Sequence, residues 1–472
     1  MSALILAIDQ GTHSTRAIVF DAQGRVVAQA RQAVALQARS HSEAEQDPDE
    51  ILASLNRVVQ QVLADPALDG RPVGCAGLAT QRSSVVAWDR STGQALAPVL
   101  SWQDRRTASW IATLASHEQR IEHLTGLRLS PHYGAGKLRW LLDTVPAVAE
   151  AARTGRLLMG PLASYLLFHL LQDRPACVDH ANASRTLLWN LHTRDWDDEL
   201  LELFGIPRPV LPACRPVCAD YGRIAPGDIP LRAVNGDQTA ALYALGAPRD
   251  DTLLVNIGTG AFVLLPAADP AMRPAGLLAG ISHSDAGGGR YYIEGTVNGA
   301  AAALTWAAQR FALTGLEEKL PGWLDDISEP ALFINTVGGL GAPWWRTGPE
   351  PYFESRSPSA PEAMVAVIES ILFLIQANIG LMCQAAPSVG IIRISGGLAN
   401  LDALCQRLAD LSGLEVQRPP QVEATARGIA WQASGASAAW PASGPVTRFT
   451  PRGNPRLRAR YNRFVGILQT LE

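Results

Sequence analysis

The sequence predicts an α/β protein built as two similar halves flanking a cleft, and three observations carry that expectation. The chain has 472 residues and 47% hydrophobic content, more than one hydrophobic core usually organises, so at least two domains are expected. Short apolar runs that end in glycine-rich turns alternate with amphipathic stretches of helical period. "AIDQGT" near the start finds an echo in "LLVNIGTGAFVLL", Leu253 to Leu265, where Asp9 matches Asn256, Gly11 matches Gly258 and Thr12 matches Thr259. Similar motifs near the start of each half imply duplication, and a cleft between such halves is the natural ligand site. The boundary is expected near residues 245–252, giving domains 1–248 and 249–472.

The elements follow in order. Leu4 to Ile8 is short and uninterrupted, as in a strand buried on both faces. Ala17 to Phe20 is a second strand, "DAQG" a tight turn closing on Gly24, and "RVVAQA" a third strand. "DPDEILASLNRVVQQVLAD" is a helix with acidic residues in its first turn. "VGCAGLAT", Val73 to Thr80, is a strand, and "AGKLRWLLDTV" a helix. In the second half come "YYIEGTVNGAAAALTWAAQRF", then the long apolar stretch around Glu369. Next is "VGIIRISGGLANLDALCQRLADLSG", a strand, a glycine pair and a helix. "TARGIAWQASGASAAW" closes the chain as an Ala/Gly-rich, tightly packed helix. "PAADPAMRP" and "RTGPEPYFESRSPSAPE" are loops.

Composition excludes several classes. The net charge of −4 comes from mixed acids and bases, with no basic stripe for nucleic acid. The stretch "VAVIESILFLIQANIGLMCQAA" contains Glu369, Gln376 and Asn378 and suits a buried helix better than a membrane span. The N-terminus has no signal-peptide pattern. Six scattered cysteines without a CxxC give neither a disulfide framework nor a strong zinc site, and suit reduced thiols in the cytoplasm. "GAGKL" lacks the first glycine of a phosphate loop, Pro131 standing in its place, and HExxH and GxSxG are absent.

Three candidate sites remain. Asp9 enters a patch of Gly11, Thr12, Ser14 and Thr15, where backbone N–H groups and hydroxyls can receive anionic oxygens and the carboxylate can hold a metal. In "NGDQTAALYALG", Asp237 either caps a helix or points into a cleft to accept a proton from a hydroxyl. The glycine turns at Gly258–Gly260 and Gly396–Gly397 each follow a strand and let a ring or phosphate approach, and the helix after Gly397 offers free N–H groups.

Together these sites make up an actin-like (ribonuclease H-like) ATPase clamp, and the chain resembles the FGGY family of sugar and polyol kinases, within it most closely the glycerol kinases. "DQGTHSTRAIVFD", "QRSSVVAWD", "SWQDRRT", "HANASRTLLWNLHTRDWDDELLELFGIP", "GDQTAAL", "GTGAFVLL", "GGLGAPWW" and "GGLANLDAL" follow in the family's order over nearly the whole length. The resemblance implies ATP and Mg²⁺ as cofactors and a small polyol or sugar as acceptor. It implies no nucleic-acid or membrane partner, and it allows a homodimer. It places Asp9 by the metal and Asp237 as base on the attacking hydroxyl. Gly11, Thr12, Arg16, Gly258 and Thr259 are placed near the phosphates and Gly397 under the adenosine, although Arg16 serves equally well as a structural ion pair. Arg82, Trp102 and Gln238 are placed in the acceptor pocket.

The sequence also departs from the glycerol kinase pattern. Ser83 replaces an acidic residue, His132 a tyrosine, and His13 a small hydroxyl residue. Ala301 and Thr305 stand where glycine and glutamine are usual, and the second signature is shortened to "RTGPEPYFESRSPSAPE". Ser83 and His132 therefore join the acceptor-site candidates. The expected activity is an ATP-dependent polyol kinase, with a ketose kinase as the next reading. An ATPase or regulatory protein without a phosphorylated product is the alternative from another class.

Overall fold

The first strand, Leu4–Gln10, is buried along its whole length, because it lies inside a six-stranded sheet covered on both faces. The computed structural model describes residues 3–40, 42–354, 357–420, 423–435, 440–442 and 444–471. It comprises two compact units. The chain leaves the first unit at Pro248 and returns to it twice, over Ala279–Tyr291 and Val422–Pro441. The second unit comprises Arg249–Leu278, Tyr292–Gln421 and Ala442–Glu472.

In the first unit, Leu4–Gln10 pairs antiparallel with Ser14–Phe20, which pairs antiparallel with Val26–Ala33. On its other side the first strand runs parallel to Val73–Thr80, and that strand parallel to Ile229–Gly236. An edge strand, Cys218–Ile224, completes the sheet. Strand alternation sorts the side chains between the faces. Leu4, Leu6 and Ile8 enter a core with Ile51, Leu55 and Val58 of the helix Pro48–Leu63 and with Leu162 and Leu166 of the helix Leu162–Leu170. Asp47 caps the former helix with Asp49 and Glu50 in its first turn, which satisfies free N–H groups and suits the helix dipole.

The opposite face carries the helix Ala424–Ser434. It lies so close that a Cβ at Gly77 would come within 2.7 Å of the Ile429 carbonyl oxygen. A Cβ at Gly428 would come within 1.8 Å of the Ala240 carbonyl oxygen. The Ala/Gly-rich composition is thus a packing requirement. This helix does not close the chain, as the sequence pattern suggested. A strand, Thr447–Phe449, and a capped helix, Pro455–Thr470, follow in the second unit. The latter is rich in Arg and buries only Leu457, Phe464 and Leu468, so its apolar stripe is too sparse to stand out.

The second unit repeats the strand plan. Thr252–Ile257 pairs antiparallel with Ala261–Ala267 and parallel with Ile391–Ser395, which runs parallel to Glu415–Arg418. The strand ending at Val297 lies beyond Ala261–Ala267. In both sheets the opening strand is central, its hairpin partners lie on one side and two parallel strands on the other. The motif echo around Asp9 and Asn256 is therefore an echo of architecture. The helix Ala360–Ala385 is long and apolar enough to cross a membrane, yet 83% of its most apolar window is buried. Within it Glu369, 2% exposed, accepts from Arg460 Nε and Nη2 at 2.8 and 2.7 Å, with Arg407 Nε at 3.8 Å. Burial raises the Glu369 pKa and the two guanidinium groups oppose the rise.

Two outcomes are expected. Glu369→Gln leaves two arginines without their counter-charge and should destabilise the second unit by about 3–5 kcal/mol, read as a lower urea midpoint. Gly428→Ala forces the Ala424–Ser434 helix off the sheet and should cost the first unit at least about 2 kcal/mol, read as a lower Tm.

Candidate active site

Strand alternation puts Asp9 on the face of the first sheet that carries the Ala424–Ser434 helix. It is 2% exposed and lies opposite Arg16 in the hairpin register. Arg16 Nη2 donates to Asp9 Oδ2 at 2.7 Å, and Nη1 pairs with Glu423, the residue that opens the helix. Burial raises the Asp9 pKa to about 7. Arg16 opposes the rise, and the nearby carboxylates of Asp237 and Glu423 add to it. The structure thus engages Arg16 between two carboxylates, the ion-pair arrangement that its position also allowed. Glu423 gave no sequence signal, since its partner is 407 positions away.

The turn after Asp9 is held by hydrogen bonds. Gly11 N donates to Ser14 O at 3.0 Å, and Gln46 Nε2 to Thr12 O at 2.8 Å. A Cβ at Gly11 would meet only Ser14 O, at an ordinary 3.5 Å, so the chain's own packing does not demand glycine there. Gln46 Oε1 and Gln10 Oε1 both accept from Gln81 Nε2, at 2.9 and 3.1 Å. This buried glutamine trio ties the turn to the end of Val73–Thr80, where Arg82 and Ser83 begin. Residues separated so widely in sequence carry no local pattern.

Asp237 is the first residue of the helix Asp237–Ala241, whose N-cap is Gly236. It is not the capping residue. Asn235 instead fixes this corner: its Oδ1 accepts from Gly236 N at 2.8 Å and Thr239 Oγ1 at 2.6 Å. Its Nδ2 donates to Ser282 O at 3.0 Å and Gln432 Oε1 at 2.9 Å. With Asn235 fully satisfied, the Asp237 carboxylate accepts from Gln238 N at 2.7 Å and keeps 32% of its side chain accessible. Burial raises its pKa, opposed by the Arg82 guanidinium and by the Gln238 N–H. Arg82 Nε stands 3.9 Å from Asp237 Oδ1, and its Nη2 bonds Gln238 Oε1. The Arg82 stem crosses Gly236, where a Cβ would lie 2.4 Å from its Cδ.

The remaining acceptor candidates gather beside this corner. Trp102 Nε1 donates to Thr12 Oγ1 at 2.9 Å, so a candidate phosphate ligand and a candidate pocket wall are joined. The Trp102 and His132 rings meet edge-on at 5.8 Å, and His132 meets Tyr133 at 5.0 Å. Ser83 is 3% exposed, sits at φ +63° and donates weakly to Arg185 O at 3.4 Å. Lys137, wholly buried, donates to the carbonyls of Ser83 at 3.0 Å and His132 at 2.8 Å. Arg185 and Lys137 were not singled out from sequence, because each is one more basic residue in an otherwise helical or polar segment. The structure brings Asp9, Thr12, Arg16, Arg82, Ser83, Trp102, His132, Asp237 and Gln238 together in the first unit.

The glycine turns belong to the second unit. Gly258 N donates to Gly260 O at 2.8 Å, and the carbonyls of Gly258 and Thr259 accept from Ala301 and Ala302 at the start of the helix Ala301–Arg310. Gly260 is required by close approach to Val297 O, which would stand 2.8 Å from a Cβ there, whereas Gly258 is not. Of the glycine pair, Gly396 sits at φ +97° against Ile257, while nothing lies within 4 Å of a Cβ at Gly397. The helix does not start directly after Gly397. A 3₁₀ turn, Gly397–Asn400, precedes the helix Asp402–Ser412. Among the described residues no group of three or more His, Cys, Asp or Glu is placed to hold a metal ion; Asp9 is the buried carboxylate at the phosphate turn.

Comparisons with known proteins cover both halves of the chain. The N-terminal domain of the FGGY family of carbohydrate kinases matches residues 4–241, and the C-terminal domain of that family matches residues 253–437. A glycerol kinase of Thermus brockianus is 36% identical over 90% of this chain and 88% of its own length. That of Alkalilimnicola ehrlichii is 35% identical over 95% and 94%. Among solved structures, Plasmodium falciparum glycerol kinase with ADP has a TM-score of 0.87 at 21% identity, covering 99% of this chain and 98% of its own. A xylulose kinase from Rhodospirillum rubrum has a TM-score of 0.86 at 19% identity, covering 99% and 98%. These likenesses show a shared two-domain α/β fold of the actin-like type. With family matches over both halves and relatives above 30% identity along nearly its whole length, the chain belongs to the FGGY family of carbohydrate kinases.

Proposed function

We propose that this kinase transfers the terminal phosphoryl group of ATP to a hydroxyl of a small polyol or sugar, with Asp237 as the base. One observation carries the role of Asp237: Gly236, not Asp237, is the N-cap, Asn235 fixes the corner before it, and the Asp237 carboxylate stays accessible beside Arg82 and Gln238. A raised pKa suits a group that must accept a proton during transfer. In the reaction the acceptor O–H gives its proton to Asp237, the oxygen forms a bond to the γ-phosphorus, and the bond from that phosphorus to the β–γ bridging oxygen breaks. Arg82 and Gln238 orient the acceptor. The backbone of Gly11 with Thr12, and Gly258 with Thr259, are the proposed phosphate contacts, and the open space at Gly397 is proposed for the adenosine.

The donor chemistry at Asp9 fits a magnesium ion. A buried carboxylate with two further carboxylates adding negative potential favours a cation, and Mg²⁺ is commonly held by one or two carboxylates plus substrate phosphates rather than by an all-protein cage. When bound there it would neutralise charge on the transferring oxygens. Asp9 would hold it, and Arg16, bridging Asp9 and Glu423, keeps that carboxylate in place. The six unpaired cysteines support a reducing, cytoplasmic setting.

The acceptor is proposed to differ from glycerol. The side chain at position 83 is a short hydroxyl already turned to the Arg185 carbonyl, and it does not replace the hydrogen-bonding capacity of a carboxylate.

Asp237→Asn should keep nucleotide affinity and lower kcat by about 10²–10⁴-fold; a folded variant with ordinary kcat would remove the base role. Gly236→Ala should displace the Arg82 stem and lower kcat/KM for the acceptor by roughly tenfold or more, with ATP affinity kept, as measured by nucleotide titration beside acceptor kinetics.

A further inference from the structure

We propose that Lys137 is a positioning residue for the acceptor, its amino group tying together the two segments that carry Ser83 and His132 and so setting the pocket between them. This rests on the kinase reading and assigns a residue of the same site that does not itself touch substrate. Lys137 is wholly buried, and its Nζ donates to the Ser83 carbonyl at 3.0 Å and the His132 carbonyl at 2.8 Å. The helix that carries it, Gly134–Thr144, is held closely on its near side. A Cβ at Gly136 would stand 2.8 Å from Thr107 Oγ1, and one at Gly134 3.1 Å from Val85 Cγ1, while Ala135 N donates to Thr186 O at 2.7 Å. The amino group is therefore a fixed point, and both wall segments hang from it.

Ser83 needs such a point. It sits at φ +63°, a backbone conformation that a residue with a Cβ holds only when its surroundings impose it. The chain on either side is anchored, Gln81 N donating to Gln10 O at 2.8 Å and Leu162 N to the Ser84 carbonyl at 2.9 Å. The bond from Lys137 fixes the Ser83 carbonyl between these anchors, and with it the backbone next to Arg82. At the other end Lys137 holds the His132 backbone where the ring meets Trp102 edge-on at 5.8 Å. Trp102 N in turn donates to Ser84 Oγ at 3.0 Å. Ser83, Trp102 and His132 thus form a closed circuit whose buried link is Lys137. Burial pushes the Lys137 pKa well below the ordinary range, with Arg105 and Arg106 acting in the same direction and Asp104 against it. A neutral amine has two N–H groups, and the two carbonyls take both, so the group is satisfied without a counter-ion.

The test compares the wild type with Lys137→Met, which keeps the stem and removes the amine, on a panel of alditols and ketoses that includes glycerol, with ADP readout. ATP affinity and the urea midpoint are measured separately. Lys137→Met should raise the KM of the best acceptor by about tenfold or more, and by more than it lowers kcat, while ATP affinity stays within about twofold. The ratio of kcat/KM between the two best acceptors should change by about threefold or more. Lys137→Gln keeps an N–H donor on a shorter stem and should fall between. Leu138→Ala, wholly buried in the same helix, removes neither bond; it should lower the urea midpoint and leave the acceptor KM and the ratio unchanged. An unchanged acceptor KM in folded Lys137→Met or Lys137→Gln, or the same rise in Leu138→Ala, overturns the positioning role and leaves the kinase reading standing. A wild type whose ATP turnover no acceptor stimulates, with ATP bound, overturns both.

Discussion

The first unit depends on how closely the helix Ala424–Ser434 approaches the face of its sheet. Gly77 and Gly428 leave no room for a Cβ between helix, strand and the Asp237–Ala241 helix. That contact is reached only when the chain, after building most of the second unit, returns to the first. It delivers Glu423 to Arg16, and Thr425 Oγ1 to the Asp237 carbonyl at 3.2 Å. It also brings Gln432 to Asn235. The two carboxylates proposed for the chemistry, Asp9 and Asp237, are therefore positioned through one late segment. Close backbone packing of this kind tolerates little change, since overpacked contacts must move whole elements.

Charge in this site is arranged by neighbours rather than by single residues. Burial is the first cause that raises the proton affinity of Asp9 and of Asp237; Arg16 opposes it at Asp9, where Asp237 and Glu423 add to it, and Arg82 opposes it at Asp237. Burial disfavours the charged carboxylate directly, and the low local dielectric also strengthens the neighbours' attraction and repulsion. Around His132 burial is the first cause that lowers its pKa, and Lys137, Arg105, Arg185 and Arg82 add to it. A phosphoryl-transfer enzyme works largely by positioning and electrostatic stabilisation.

The second unit solves a different problem. Its long apolar helix Ala360–Ala385 would be an ambiguous signal in isolation. Glu369 settles it as a core element by pairing with Arg460 from the last helix and lying near Arg407. The glycine turns are similarly divided between structure and opportunity. Gly260 and Gly396 are fixed by backbone approach, whereas a Cβ at Gly258 would make only ordinary contacts and one at Gly397 would meet nothing within 4 Å.

Local pattern alone determined the strands opening each half, the capped helix Pro48–Leu63 and the duplication around Asp9 and Asn256, and it marked Asp9 and Asp237 as candidates. Those features rest on hydrophobic period, turn chemistry and capping, which act between residues close in sequence. The closing helix Pro455–Thr470 escaped because its buried stripe is only three residues wide. Only the tertiary structure decided that Asn235 is tied to Ser282 and Gln432 at the corner before the Asp237–Ala241 helix, that Arg16 is held by Glu423, and that Gln10, Gln46 and Gln81 form one network. It also decided that Lys137 reaches the Ser83 carbonyl. These are contacts between segments tens to hundreds of residues apart, and their energy depends on burial and distance that no local run of sequence encodes.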